Sequence, residues 1–63
     1  MNLDEMVGKF VLVVKNDGYK KYGILVEYSA AFITLKFDSG ELVVIPMLAV
    51  SEVKLSERGT NGN

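Results

Sequence analysis

Two turn signals divide this chain into runs that suit extended strands far better than helices. Asn16-Asp17-Gly18 and Asp38-Ser39-Gly40 combine residues that tolerate positive φ, the backbone state that tight hairpins demand. Around them the chain is rich in β-branched and aromatic residues. Lys9–Lys15 (Lys-Phe-Val-Leu-Val-Val-Lys) is a first strand, and Tyr19–Tyr28 is a longer second one, interrupted by Gly23. A glycine inside a strand marks a bulge or sharp bend, the device that lets one strand serve two sheets of a small barrel. Ser29-Ala30-Ala31 then forms a short turn. The third strand, Phe32–Phe37, places Ile33, Leu35 and Phe37 on one face and Thr34 and Lys36 on the other. Glu41–Ile45 is the fourth strand. Pro46-Met47-Leu48-Ala49 fits a single tight turn, because Pro46 has no N–H for a ladder, and Val50–Leu55 is the fifth strand.

The ends read differently. Asn2-Leu3-Asp4-Glu5-Met6-Val7 predicts a short helix, with Asn2 as N-cap, acids in the first turn and Gly8 as its stop. Leu3, Met6 and Val7 share one helical face, which must lie on something apolar. From Ser56 the chain loses its apolar content, so 56–63 reads as a disordered tail and 1–55 as one domain. A short helix followed by five tightly connected strands implies an all-β fold, a strongly bent antiparallel barrel. The first strand is apolar on both faces, Phe10, Leu12 and Val14 pointing one way and Val11 and Val13 the other. One set fills the barrel; the other must lie under the helix or against a neighbouring chain.

Size and composition narrow the function. With 63 residues the domain is marginal alone, and without Cys or His it has neither a disulfide nor an ordinary zinc site to staple it. Assembly is the remaining common remedy. The absence of His and Cys also removes the commonest general base and thiol chemistry. No Ser has a plausible base partner, and no phosphate-binding glycine loop occurs. The chain is therefore not expected to be an enzyme, and no cofactor is expected. A net charge of −1 and a pI near 5.2 advertise no global basic field. The longest apolar run, Phe10–Val14, falls far short of the roughly 20 residues that span a bilayer. The acidic start Met-Asn-Leu-Asp-Glu is unlike a signal peptide, so a cytoplasmic protein with no membrane partner is expected.

The stretch Gly8-Lys9-Phe10-Val11-Leu12-Val13-Val14-Lys15-Asn16-Asp17-Gly18, with Gly23-Ile24-Leu25 and Tyr28, resembles the first motif of the Sm-like (Lsm) family. Asp38-Ser39-Gly40, Val43-Val44-Ile45-Pro46 and Ala49-Val50-Ser51-Glu52-Val53 resemble the second half of an Hfq-type member. The resemblance runs from about Leu3 to Leu55. It implies an SH3-like (Sm-like) barrel behind an N-terminal helix, closing into a homo-oligomeric ring of five to seven subunits. In the family the fourth strand of one subunit pairs with the fifth of the next. Here that interface would draw on Val43, Val44, Ile45, Val50, Val53 and Leu55. Both strands are short and β-branched, with no interior proline or line of charges to blunt edge pairing.

The family binds single-stranded, often uridine-rich RNA through two loops at the pore, and here those loops depart from the pattern. Ser29 stands where the family has an Asp and Ile33 where it has a base-reading Asn. Pro46-Met47-Leu48 replaces the Arg-Gly or Tyr-Lys-His run. The remaining RNA candidates are few. Phe32 is a stacking platform or a core residue. Lys20 and Lys21, with Tyr19 and Tyr22, are a phosphate-binding cluster or a solvated strand face. Met47 and Leu48 form an apolar constriction, a partner surface or simple turn packing. Two functions stay open: RNA binding by the ring, and a structural or protein-interaction module that kept the barrel and lost RNA.

Overall fold

The computed structural model describes residues 3–56. A 3-10 helix η1 (Leu3–Met6) leads into β1 (Phe10–Lys15), β2 (Lys20–Tyr28), β3 (Phe32–Lys36) and β4 (Leu42–Pro46). A second 3-10 helix, η2 (Met47–Ala49), then connects to β5 (Val50–Leu55). The strands form one antiparallel sheet in the order β4-β3-β2-β1-β5. Its two edges, β4 and β5, are joined by only the three residues of η2, so the sheet must curl until they approach at that end.

The turns form as their residues predict. Gly18 and Gly40 close the two hairpins with φ of 93° and 91°. The Asp17 carboxylate accepts from the Tyr19 N–H at 3.0 Å, and the Ser39 hydroxyl from the Glu41 N–H at 3.3 Å. The observed strand ends lie a residue inside the predicted ones at Lys9, Tyr19, Phe37 and Glu41, which belong to the flanking turns. Pro46 is instead the last residue of β4, opposite Phe32. An edge strand accommodates it because its missing N–H would point away from the ladder.

Two expectations need correction. Gly23 is not the bulge: it pairs regularly with Val11. The irregularity in β2 falls between Leu25 and Glu27, with Val26 as the extra residue. Gly23 serves close approach instead, since a Cβ there would sit 2.8 Å from the Lys36 carbonyl oxygen. The N-terminal helix ends at Met6 rather than Val7 and is of the 3-10 type. Three residues per turn align Leu3 with Met6 and rotate Val7 off that face, leaving it 43% exposed. Asn2, the expected cap, lies outside the described residues, as does the tail beyond Ser56.

Val11, Val13, Leu25, Ile33 and Leu35 are wholly buried, joined by Ile45, Val53 and Leu3. Because Leu3 enters the same core as Val11 and Val13, η1 covers the inner side of the barrel. The other face of β1, Phe10, Leu12 and Val14, is half-buried on the outside, with the Phe10 ring stacked on Tyr22 at 6.2 Å between centroids.

Candidate functional site

The candidate RNA residues fall into two groups. The first grows from the β1–β2 hairpin. Tyr19 leaves the turn 69% exposed, followed by exposed Lys20 and half-buried Lys21. Strand alternation splits this cluster. Lys20 lies opposite Val14 and Tyr22 opposite Leu12 on the outer face, whereas Lys21 lies opposite core-facing Val13. The two lysines nevertheless line one shallow depression, with Phe10, Tyr22 and the β3–β4 corner Phe37-Asp38-Ser39. Two ammonium groups against one carboxylate give it a local positive balance. The contributions of Phe10 and Asp38 are not evident from sequence, because they depend on which turn packs beside β2.

The second group sits where η2 meets the β2–β3 turn. Phe32, 36% exposed, opens β3 opposite Pro46. The half-buried Met47 donates its N–H to the Ala31 carbonyl at 2.9 Å, and Leu48 beside it is 93% exposed. The Ser29 hydroxyl accepts from the Ala31 and Phe32 N–H groups at 3.0 and 3.3 Å, which shapes the turn. Ile33 is wholly buried and offers nothing to a ligand. This corner is therefore apolar, with Phe32, Met47 and Leu48 in place of polar reading groups. The hairpin is tied to it by Asn16, whose N–H and side-chain Nδ2 bond the Ala49 and Leu48 carbonyls at 2.8 and 2.7 Å. No local pattern signals this link, because the side-chain bond joins residues 32 positions apart.

The six proposed interface residues divide by burial. Ile45 and Val53 are core, Val43 and Val50 are half-buried, and Val44 and Leu55 are 61% and 53% exposed. Leu42, at 60% exposure, adds to the open apolar surface of β4. Among the described residues no three His, Cys, Asp or Glu side chains come together as a metal site, and no helix is long and apolar enough to cross a membrane.

This curled five-stranded sheet has counterparts among solved structures. The crystal structure of the pleiotropic translational regulator Hfq superposes with a TM-score of 0.78 at 21% identity, covering 86% of this chain and 83% of that one. The fold is Sm-like. A chain from the structure explaining Dcp1:Dcp2 mRNA decapping complex activation by Edc3 and Scd6 gives 0.74 at 14% identity, covering 100% of this chain and 80% of that one. No protein-family model matches the sequence, and no curated protein matches it.

Proposed function

We propose that this Sm-like chain closes into a homo-oligomeric ring of five to seven subunits that holds single-stranded RNA. The observation that carries the ring is the pair of sheet edges. β4 and β5 flank the sheet, and β4 presents Leu42 and Val44, 60% and 61% exposed, on its outer side. Pairing β4 of one copy with β5 of the next satisfies both rows of backbone groups and adds the burial that a chain of this size lacks. RNA is favoured by the lysine-lined depression and by the likeness to a translational regulator and to a chain of an mRNA decapping assembly. The ring acts by binding, not catalysis, in the cytoplasm.

A second reading has its own support. The apolar corner around Leu48 suits a protein partner better than a base, and it favours an interaction module that has lost RNA.

Native mass spectrometry of the chain, alone and with a short oligouridine, separates these readings. A mass of five to seven subunits with added oligouridine is expected. A ring that takes no oligouridine favours the protein-binding module. A monomer overturns the ring.

A further inference from the structure

In a ring built by repeating one interface, the rotation from subunit to subunit fixes how many copies close. For six and seven copies the rotations differ by only about 9°, so small changes in the angle between the two edges matter. Within one subunit the two edges stand at opposite ends of the sheet and are joined directly only by η2, so the way β4 turns into β5 bears on that angle. The turn is η2, which has no side-chain cap of its own. On the β3 side it is held by Met47 donating to the Ala31 carbonyl. On the β1 side both bonds come from Asn16, the backbone N–H to Ala49 at 2.8 Å and Nδ2 to Leu48 at 2.7 Å.

The start of β5 needs that hold. Its register with β1 shifts between Val14 and Lys15: Glu52 lies opposite Val14 and Val50 opposite Lys15, leaving Ser51 as an extra residue. A bulge bends its strand and increases the local twist. Just before it in the chain, the two Asn16 bonds hold Leu48 and Ala49 where the chain enters β5.

We propose that Asn16 is a positioning residue for self-assembly, clamping η2 so that β4 and β5 meet at the angle that closes one ring size. This rests on the ring reading above. The side chain suits the task because its amide donates from a short stem to a carbonyl. Asp at the same place keeps the turn chemistry, since Asn and Asp serve hairpin turns alike, but turns an acceptor toward the Leu48 oxygen. Asn16→Asp thus separates the clamp from the turn. Asn16→Ala removes the side-chain bond alone and leaves the backbone bond to Ala49.

The test compares the wild-type chain, Asn16→Asp and Asn16→Ala by native mass spectrometry, with circular dichroism and thermal unfolding beside it. The expected result is one ring size for the wild type. Both variants should keep the β spectrum but spread over several subunit numbers or open oligomers, with the main species falling at least severalfold. Variants that keep the wild-type ring size overturn the clamp, even at a lowered Tm, because a purely structural Asn16 changes stability without changing the count. Loss of fold in Asn16→Ala also overturns it, since the residue then holds the monomer rather than the angle between edges. A monomeric wild type is a different failure: it removes the ring itself, and the clamp with it.

Discussion

At the scale of single residues, two polar side chains separate structure from function. The Thr34 hydroxyl is buried at 5% exposure and has no hydrogen-bond partner. A buried hydroxyl without a partner costs on the order of 1–3 kcal/mol. Thr34→Val keeps the β-branched shape and removes the orphan, so it should raise stability by about 1 kcal/mol, read from urea unfolding midpoints. Tyr28 works differently. Its hydroxyl donates to the Asp4 carboxylate, joining η1 to β2, and that bond, with desolvation and the nearby negative charge, raises its pKa above the usual 10.0. The raised value means that folding favours the neutral phenol. The contribution is complete below pH 10 and is lost as pH climbs through the folded-state pKa. Unfolding of wild type and Tyr28→Phe, compared on both sides of that pH, should show wild type more stable on the acid side and the difference vanishing on the alkaline side.

At the scale of elements, the strands are legible in the sequence because their signals are local. Asn16-Asp17-Gly18 and Asp38-Ser39-Gly40 set two hairpins, β-branched runs fill the space between them, and β5 falls at Val50–Leu55 as those signals predict. What stays hidden are properties of pairs of strands. The bulge at Val26 is a mismatch between β2 and β3, so a lone glycine at 23 does not locate it. Likewise, alternation in β1 exposes two apolar faces without saying which one η1 will cover. The same limit governs how the edges should be tested. Val53 is 4% exposed and pairs with Val13, so disrupting it costs stability of the subunit itself and is a poor probe of assembly. Val44 is 61% exposed on the outer side of an edge strand. Val44→Lys should leave the isolated fold within roughly 0.5 kcal/mol of wild type, as surface changes usually do. It should also shift the native mass from ring to monomer, because an edge lysine opposes strand addition. An unaltered mass would move the interface away from β4.

At the scale of the whole molecule, charge decides where the proposed ring would hold RNA. Each chain carries a net charge of −1, so a ring accumulates negative charge with every subunit and its distant field repels a polyanion. Attraction must then be local, within about 10 Å at ordinary salt, and come from lysines grouped away from acids. The sequence shows Lys20 and Lys21 side by side but not the depression they share. Phe10 joins it from β1 and Asp38 from the β3–β4 turn, because both Phe10 and Lys36 pair with Ile24 of the central strand β2. Asp38 weakens the site at close range, which makes the two lysines its whole positive balance. Replacing both by Glu reverses the local charge at one exposed and one half-buried position on β2, away from the β4 and β5 edges, so the ring's subunit number should be unchanged. Oligouridine affinity at low salt should fall by at least about tenfold, and the slope of log affinity against log salt should shrink by about 0.7 for each phosphate the ring no longer neutralises. Equal affinity and an equal slope in the variant would send the RNA elsewhere. With Ile33 buried and the η2 corner apolar, the protein-binding module would then be the better account of this chain.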